Sequence, residues 1–462
     1  MSLDINHKKT LLLLFLEGFV SVSLQIFIIR QMVPFAGSSA ILVSFVIGVF
    51  LAALSLGYLA GGRHKKDHLW ILNKNLVISA FLIAIGFSYP IIDYSFNLFG
   101  NIFDNNFIET GIYLTIFLAP VVFLLGQTIP LLTNFMKTNN VAELTGVALS
   151  VNTIGSVLGS VVTSLVLFYY LGVAYTLLFD VCLIMLISIM IGLKDKNITL
   201  INIGALMIVI TIGTFLNVQF ENSKFKLTNH YTNYEVIESE YEGVEISLFK
   251  MNDSYSSAIY KSSRGTASFK YIDFMFDSIQ QKGFKDKEIL VLGAGGFTLS
   301  LRDKTENIYT YVDIDPKIKE VAEKYFIKGE INGDFIADDA RQFLLNSKNK
   351  YDMIIVDLFT NRVSIPWHTS TKEFMDALKG VMKENSTVMF NIIQGTDFND
   401  KYSKTVYNTI TTSFDYCMVN QMLGGSERLS NVVYSCILNK EKKEVYIDNF
   451  SRVEFDALKV RR

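Results

Sequence analysis

The sequence contains few cysteines, no concentration of basic residues and, before Val218, few charged residues of either sign. Its three cysteines, Cys182, Cys417 and Cys436, include no CxxC pair and have no histidine cluster beside them, so we predict neither a zinc site nor a disulfide framework. The 42 Lys and Arg residues are balanced by 44 Asp and Glu residues and form no basic block. We therefore expect no nucleic-acid partner.

The scarcity of charge in the first half divides the chain into two regions. Half of the 462 residues are hydrophobic, which is too apolar for an ordinary soluble enzyme of this length. Asp, Glu and Lys become dense only after Gln219. We predict a transmembrane helical bundle over residues 1–218, a small antiparallel β region over 219–266 and a Rossmann-like catalytic domain over 267–462.

Seven apolar runs in the first region are each close to the roughly 20 residues that a helix needs to cross a bilayer. The first begins soon after Lys8 and Lys9 and is too long for a signal peptide, so we expect it to be retained. Membrane lipids are then the expected surroundings of the bundle. The runs are Thr10 to Ile29, Ala40 to Gly61, Trp70 to Ile92, Gly111 to Phe135, Thr145 to Leu167, Val173 to Leu193 and Ile198 to Val218.

Basic residues predict the orientation of these helices. They cluster at Lys8 and Lys9, from Arg63 to Lys66, at Lys137 and at Lys194 and Lys196, whereas the loop from Asp93 to Glu109 has none and carries acids. The positive-inside rule places the N-terminus in the cytoplasm, and seven crossings would deliver the second region outside. Because nucleoside cofactors are supplied inside the cell, we expect a multi-pass cell-membrane protein with a cytoplasmic catalytic domain. That requires a broken fourth run, interrupted at Pro120 and Pro130, or an interfacial seventh run.

Polar residues inside the apolar runs have two interpretations. Ionisable groups in a membrane need partners or water, so an intramembrane polar site or solute path is one hypothesis. Hydrogen bonding between helices is the other, and the small residues Gly155 and Gly159 favour close helix packing. We favour hydrogen bonding for Gln127 and Asn152, and for Glu17 both interpretations stay open.

The second region changes its hydrophobic period. Residues Tyr234 to Tyr260 alternate between apolar and polar types, which predicts a small antiparallel sheet. Lys270 to Gln281 then has a helical pattern, and the buried strands "EILVLGAGG", "YTYVDID" and "YDMIIVDLF" alternate with helices. This order predicts a parallel, doubly wound sheet with its ligand at the carboxyl ends of the strands.

A glycine-rich turn follows the first of these strands. Gly293, Gly295 and Gly296 permit close approach of a ligand to the backbone, and Asp313 ends the next strand about 20 residues later, where a carboxylate accepts both hydroxyls of a ribose. Phe297 occupies the place where a dinucleotide motif would continue towards its third glycine. We therefore expect a nucleoside without a pyrophosphate, such as S-adenosylmethionine.

Two further acids follow later strands. Asp339, just before Ala340, is placed where an adenine edge would lie, and Asp357 ends "YDMIIVDLF". Asp339 is alternatively a helix N-cap, and Asp357 alternatively a strand-end cap. Three acids in register with a glycine turn favour ligand binding over these structural roles.

These segments resemble the nucleoside-binding core of the spermidine synthases. "VLGAGG", "VDIDP", "DDARQFL" and "YDMIIVDLF" match that core, and "NDSYSSA" and "FKYID" are similar to the upstream "DGxxQ" and "FSYQE" segments of the family. "GQTIP" and "SVNTIGSVLGS" resemble membrane regions fused to such domains in bacteria. The resemblance implies a class I S-adenosylmethionine-type fold preceded by a small β-sheet.

The same resemblance implies roles for individual residues. Asp313 would hold the ribose, Asp339 and Ala340 the adenine, and Asp357 would be the general base that deprotonates the attacking amine. Tyr271 would hydrogen-bond that amine. The donor would be S-adenosylmethionine or its decarboxylated form, with release of methylthioadenosine and without a metal. Members of the family often dimerise through the soluble domain, so a homodimer is one alternative for the assembly, formed through that domain or through the bundle.

The sequence departs from the family in the part of the pocket that would bind a polyamine. Gly296 stands where the family has an aspartate, Ser256 and Ile272 replace glutamines, and Thr360 replaces a second aspartate. Because a polyamine needs carboxylates, we expect a different acceptor, such as another amine or a lipid-borne one. His368 is a candidate pocket wall or proton carrier.

Two alternatives remain open. The enzyme would instead use S-adenosylmethionine itself, by methyl transfer or acceptor-free cleavage, with Arg362 as a candidate partner of the methionine carboxylate. Or the chain is a transporter or sensor whose nucleoside-binding domain is regulatory. Turnover of the nucleoside distinguishes an enzyme from a transporter or sensor, since a sensor binds the nucleoside without consuming it.

Overall fold

The computed structural model describes residues 7–37, 40–103, 105–136, 141–193, 195–241, 243–262, 269–358, 367–422 and 430–438. Within these ranges the chain forms a helical bundle, then a small four-stranded sheet and then a seven-stranded sheet covered by helices. The order of these parts follows the predicted order along the sequence.

Eight helices build the bundle, and seven of them are long and apolar enough to span a membrane by length and composition. A short helix, α4 (Tyr89–Gly100), lies between the third and fourth long ones. The long helices are α1 (His7–Ala36), α2 (Ala40–Arg63), α3 (His68–Gly86), α5 (Asn106–Thr133), α6 (Val141–Tyr170), α7 (Gly172–Gly192) and α8 (Lys196–Lys224).

Irregular turns interrupt three of the long helices. Helix α5 contains a π-helical turn at Leu114–Leu118 and a break at Gln127, in the run whose prolines predicted an interruption. Helices α6 and α8 contain π-helical turns at Thr163–Leu167 and Thr214–Gln219. Helix α8 is nevertheless continuous from Lys196 to Lys224, which gives no support to an interfacial seventh run.

Glycines bring α1 and α6 into close contact. A Cβ atom added at Gly155 would lie 2.1 Å from the Phe15 carbonyl oxygen, and one at Gly159 would lie 2.2 Å from that of Phe19. On the facing helix, a Cβ atom at Gly18 would lie 2.1 Å from the Asn152 carbonyl oxygen. Any side chain at these positions would push the two backbones apart.

The polar residues of the bundle hydrogen-bond between helices. The Asn152 amide donates to the Glu17 carboxylate (2.5 Å) and to the Leu14 carbonyl (3.0 Å), and Ser21 donates to the other Glu17 oxygen (2.6 Å). The Gln127 side-chain oxygen lies 3.3 Å from Nε2 of His64. These contacts favour the interpretation of the three residues as interhelical partners.

The small sheet is antiparallel, with strands in the order β1 (Leu227–Thr228), β2 (Asn233–Tyr241), β3 (Val244–Met251) and β4 (Ser254–Tyr260). Its alternating pattern buries Tyr234 and Phe249 against the next domain. The prediction of an antiparallel sheet between Tyr234 and Tyr260 is therefore confirmed.

The larger sheet has the strand order β10-β11-β9-β8-β5-β6-β7. Strands β9, β8, β5, β6 and β7 run parallel, and β11 is antiparallel to both of its neighbours. The strands are β5 (Glu288–Leu292), β6 (Ile308–Asp313), β7 (Asp334–Ala337), β8 (Tyr351–Val356), β9 (Met382–Gln394), β10 (Tyr416–Gln421) and β11 (Ser430–Ile437).

Six helices accompany these strands. They are α9 (Lys270–Gln281), α10 (Thr298–Arg302), α11 (Ile318–Val321, continued by a π-helical turn at Ala322–Ile327), α12 (Ala340–Asn346), α13 (Lys372–Gly380) and α14 (Lys401–Thr411). Two apolar clusters cover the two faces of the sheet, one around Met275, Ile289 and Phe326, the other around Leu290, Phe374 and Phe390. The predicted parallel, doubly wound arrangement is confirmed.

The prediction that the cysteines form no disulfide is wrong. Cys417 and Cys436 are joined by a disulfide bond, with their Cα atoms 4.1 Å apart. The two residues are 19 positions apart in sequence, but the register of β10 and β11 places them directly opposite each other. Spacing rules based on local motifs do not detect a pair that only a strand register creates.

Candidate active site

A cavity of about 760 Å³ opens at the carboxyl ends of β5, β6 and β8 and extends to the end of the bundle at Val33. All three acids predicted from the sequence, Asp313, Asp339 and Asp357, line it. Its other described lining residues include Tyr271, Gly293, Gly295, Ala340, Ser256, His368, Asn391, Asn431, His230, Tyr231, Phe269, Lys270 and Met422.

The glycine turn shapes one wall of the cavity. Gly293 has φ +90°, and a Cβ atom there would lie 2.1 Å from the Asp357 carbonyl oxygen, so only glycine fits between β5 and β8. Gly295, with φ +50°, also lines the cavity. Gly296 instead lies behind the turn, where a Cβ atom would meet the ring of Phe326 at 2.4 Å.

Asp313 ends β6 and faces the cavity beside this turn. One of its oxygens accepts a hydrogen bond from the Ala294 amide (3.0 Å) and the other from the Asp315 amide (3.0 Å). Burial raises the pKa of the Asp313 carboxyl to about 6, although these backbone hydrogen bonds act in the opposite direction. The carboxylate keeps lone pairs for a ligand with hydroxyl donors.

Asp339 has two roles in the structure. Its Oδ1 accepts hydrogen bonds from the amides of Arg341 and Gln342 (3.0 Å each), so it is the N-cap of α12, as one interpretation of the sequence held. Its Oδ2 lies 3.1 Å from Nε2 of His368, and both side chains line the cavity. Capping therefore occupies only one of the two carboxylate oxygens.

Asp357 follows β8 and lies at the centre of a hydrogen-bonded group. The Tyr271 hydroxyl is 3.2 Å from Asp357 Oδ2, and the Asn391 amide donates to Oδ1 (2.8 Å). Asn431 in turn donates to the side-chain oxygen of Asn391 (2.8 Å), which fixes the orientation of that amide. Burial raises the pKa of the Asp357 carboxyl to about 6, and its contacts with Asn391 and Tyr271 partly offset this rise.

Burial also raises the pKa of the Tyr271 hydroxyl well above its ordinary value, and the nearby Asp357 charge adds to the rise. The phenol therefore stays protonated over the physiological range and acts as a hydrogen-bond donor. A carboxyl with a pKa near 6 beside it is ionised at neutral pH and is basic enough to accept a proton. This pair is suited to acid–base chemistry.

The structure brings together most of the residues predicted for the site. The three acids, Tyr271, Ser256, Ala340 and His368 share the cavity wall, whereas Thr360 and Arg362 lie outside the described residues. Glu17, Gln127 and Asn152 lie in the bundle and are not among the residues that line the cavity.

The structure adds three residues to the site that were not predicted from the sequence, namely Asn391, Asn431 and Asp315. Asn391 is one polar residue inside the apolar strand "VMFNII", and that interruption of the pattern was the available signal. Asp315 is buried behind Asp313 and accepts hydrogen bonds from Tyr234 (2.7 Å) and Asn229. Its partners are distant in sequence, so no local pattern indicated them.

Known proteins can now be compared with this geometry. Residues 270–448 match the family model described as "Spermine/spermidine synthase domain". The matched region is a spermidine synthase-like domain. The resemblance inferred from the sequence motifs is thus confirmed, and the family is one of transferases.

Curated relatives of the spermidine synthase-like domain include a polyamine aminopropyltransferase of Saccharolobus islandicus, 34% identical over 142 residues. That match covers 28% of this chain and 46% of the relative, so the chain spans less than half the length of that protein. Polyamine aminopropyltransferase 2 of Aquifex aeolicus is 25% identical over 405 residues, which cover 81% of this chain and 77% of the relative. The second similarity extends beyond the domain into the helical bundle.

A solved structure with a similar fold is a probable spermidine synthase from Corynebacterium glutamicum. The two are 19% identical, with a TM-score of 0.39, over 49% of this chain and 82% of the other.

Proposed function

We propose that the protein is a membrane-bound transferase of the aminopropyltransferase type, which uses S-adenosylmethionine or its decarboxylated form and releases methylthioadenosine. The observation that carries this proposal is the position of Asp357, between Tyr271 and Asn391, in the same cavity as Gly293 and Asp313. A base and a nucleoside-binding wall in one cavity are what such a transfer requires.

The donor half of the cavity is built for a nucleoside. Asp313 offers carboxylate oxygens to the ribose hydroxyls, and Gly293 and Gly295 let the ligand approach the backbone. Asp339 and Ala340 supply the wall at which the adenine would lie, with His368 beside it. We assign the nucleoside of the donor to this half.

The chemistry follows from Asp357. Its carboxylate accepts a proton from the ammonium form of the acceptor amine, and the nitrogen lone pair that this frees attacks the carbon next to the sulfonium. A carbon–nitrogen bond forms, the carbon–sulfur bond breaks, and its electron pair stays on the sulfur of methylthioadenosine. Tyr271 orients the amine, and Asn391 holds the carboxylate in place.

The acceptor half differs from what a polyamine needs. Among the described lining residues only Asp313, Asp339 and Asp357 are acidic, and Lys270 adds a positive charge beside Tyr271. The rest of the described wall combines neutral polar residues, such as Asn252 and Ser430, with the aromatic and apolar side chains of Tyr231, Phe269 and Met422. We therefore propose an acceptor with one reacting amine, and the extension of the cavity to Val33 of α1 favours one that is reached from the membrane.

We also propose that the bundle is embedded in a membrane. Its seven long helices leave many large apolar side chains exposed, which water would penalise and lipid would not. Exposed examples are Leu51, Leu59, Ile154, Leu165, Ile201, Met207 and Phe215. Lipids are then permanent partners of the chain. A homodimer remains a prediction.

The test is to incubate detergent-purified protein with S-adenosylmethionine or its decarboxylated form, with and without amines, and to measure products by mass spectrometry. Amine-dependent methylthioadenosine would support the proposal. Methylthioadenosine formed from S-adenosylmethionine without an amine would establish cleavage, and S-adenosylhomocysteine would establish methyl transfer.

Tight nucleoside binding without any product, over a panel that includes aminophospholipids, would contradict the enzyme proposal. It would favour the sensor or transporter alternative, in which the domain only regulates the bundle. The Asp357→Asn variant is the control, because product formation that survives this change does not come from the proposed base.

A further inference from the structure

A loop of the small sheet connects the first helix of the bundle to the nucleoside site. Nε of Arg30 in α1 donates to the Asn229 carbonyl (2.7 Å), and its Nη2 donates to the Asn233 side chain (2.7 Å). Arg30 is 4% exposed, so these contacts are shielded from water. Shielded hydrogen bonds from a charged donor are among the stronger ones in proteins.

The same loop holds Asp315. The Asn229 side-chain nitrogen donates to both oxygens of Asp315 (3.0 and 2.8 Å), and its side-chain oxygen accepts from the amides of Tyr231 and Thr232. The Asp315 amide then donates to Asp313 (3.0 Å). An unbroken chain of hydrogen bonds thus runs from the Arg30 guanidinium to the carboxylate that faces the ribose.

From these contacts we propose that Arg30 is a positioning residue for donor binding, acting through Asn229 and Asp315 on Asp313. This inference rests on the proposed function. The loop also supplies His230 and Tyr231 to the cavity, and α1 itself reaches the cavity at Val33, one turn after Arg30. A shift of α1 would therefore move both the ribose carboxylate and the cavity wall. The bundle is then part of the binding site and not only an anchor.

One feature of Arg30 argues against a purely stabilising role. Its Nη1 is buried and has no hydrogen-bond partner among the residues that the structure describes. A buried guanidinium with an unpaired nitrogen costs stability, so packing alone would not favour it over an apolar residue. Positioning of the loop gives a reason for its presence.

The experiment measures methylthioadenosine affinity by calorimetry and donor KM and kcat for full-length protein in detergent. Arg30→Met is expected to weaken binding and raise donor KM roughly tenfold with a smaller change in kcat, and Arg30→Lys to recover part of the loss. Arg63→Met, at the exposed end of α2, is the matched control and should bind as the wild type does.

Asn229→Ser is a second, independent test in case the Arg30 variant misfolds. It removes the hydrogen-bond donor to Asp315 but leaves the backbone carbonyl that Arg30 contacts. It should weaken binding to a similar extent, and the double variant should weaken it by less than the product of the two single effects. Wild-type affinity in folded Arg30→Met or in Asn229→Ser would overturn the inference. A wild type that binds no nucleoside would instead refute the proposed function itself.

The two ends of the bundle differ in charge. Lys9 at the start of α1 donates to the Met190 carbonyl near the end of α7 (2.5 Å), and Asn73 near the start of α3 bonds Asn202 near the start of α8. These contacts define one end of the bundle. Basic residues at this end, in the part of the chain that the structure describes, include Lys8, Lys9, Arg63, Lys65, Lys66 and Lys196.

The domain lies at the other end. There Phe35 of α1 packs on Tyr89, which contacts Phe225 just after α8 (ring centroids 5.2 and 5.0 Å apart). The segment at this end carries acids and no Lys or Arg from Asp93, in α4, to Glu109, in the first turn of α5. Basic residues mark the cytoplasmic end of membrane helices.

We infer that the spermidine synthase-like domain lies on the extracytoplasmic side of the membrane. The seven long helices and the charge distribution agree on this side, and so does the Cys417–Cys436 disulfide, since disulfides persist in oxidising compartments and are rare in the cytosol. Cofactor supply led to the opposite expectation. On this side, the donor nucleoside must be delivered by an export or release step.

Reporter fusions test this inference in the full-length chain. Alkaline phosphatase fused after Arg462 should be active, and green fluorescent protein fused at the same place should be dark. The same two reporters inserted between Lys65 and Lys66 should give an inactive phosphatase and a fluorescent protein. A fluorescent C-terminal fusion with an inactive phosphatase fusion would overturn it. Dependence of gel mobility on reductant, absent in Cys417→Ser, would support the disulfide in the membrane-inserted protein.

Discussion

Buried carboxylates occur in both regions of the molecule, and their surroundings differ. In the bundle, both oxygens of Glu17 accept hydrogen bonds from side chains, one from Ser21 and one from Asn152 on a facing helix. In the domain, Asp357 and Asp313 are also hydrogen-bonded, but each lines the cavity. Access to a cavity, more than burial, therefore separates a candidate site from a structural contact.

The largest effect is expected from Asp357→Asn. An amide cannot accept the proton of the acceptor amine, so kcat should fall by about 10²- to 10⁴-fold, while donor affinity changes little. Single-turnover product formation measures the chemical step. Asp352→Asn, at the other end of β8, is the matched control, because Asp352 does not line the cavity. The change weakens its ion pairs with Lys383 and Lys287 but keeps an oxygen for the Glu288 amide. Equal activity of the two variants would remove Asp357 from the mechanism.

Asp313→Asn should weaken nucleoside binding by about 10- to 150-fold, since a hydrogen bond to a charged group contributes about 1.5–3 kcal/mol. Calorimetry with methylthioadenosine measures this change directly. The exposed Asp334, at the start of β7, is a control whose replacement by Asn should leave affinity unaltered. If Asp313→Asn binds normally, the ribose does not contact this carboxylate.

The pH dependence of activity should follow a carboxylate of the cavity and not one of the bundle. The base must be ionised, and burial raises the pKa of Asp357 to about 6, so activity should rise with pH through that value. At pH 5 about a tenth of the carboxyl is ionised, which predicts a rate roughly tenfold below the plateau. Measurement of kcat at saturating donor keeps the titration of Asp313 out of the profile. A flat profile between pH 5 and 7 would contradict this role.

Glu17→Gln should have the smallest effect. Glutamine keeps an oxygen that accepts from Ser21 or Asn152, so kcat is expected to change by less than about twofold and stability by no more than about 1 kcal/mol. Thermal unfolding in detergent, together with steady-state kinetics, measures both. A loss of activity beyond tenfold without unfolding would break the comparison and give the bundle carboxyl a part in a solute or proton path.

Sequence patterns predicted the architecture well because the periodic signals are strong. The helix Lys270–Gln281 has the bounds that its pattern indicated. Asp313 and Asp357 lie at the ends of strands that were predicted as buried and parallel, and Asp339 follows the neighbouring strand β7. A parallel sheet aligns such strand ends by geometry, so their meeting at one cavity followed from the pattern.

Contacts that form only in the tertiary structure were not predicted from these patterns. The pairing of Cys417 with Cys436 depends on a strand register, and the contact of Arg30 with Asn229 depends on how the bundle meets the domain. Asn391 is a single polar residue in an apolar strand, and only the structure shows that it supports Asp357. Contacts between residues far apart in sequence leave little local signal, which explains why these residues were missed.

The glycine contacts between α1 and α6 have a consequence for how this architecture changes over evolutionary time. Because a Cβ atom at Gly155 or Gly159 would lie within 2.2 Å of a backbone carbonyl, every substitution at these positions forces the helices apart. Lipid-facing residues can be exchanged for other apolar residues, whereas these two positions accept only glycine. We expect the spacing of the two glycines to persist in distant relatives whose bundles otherwise share little sequence.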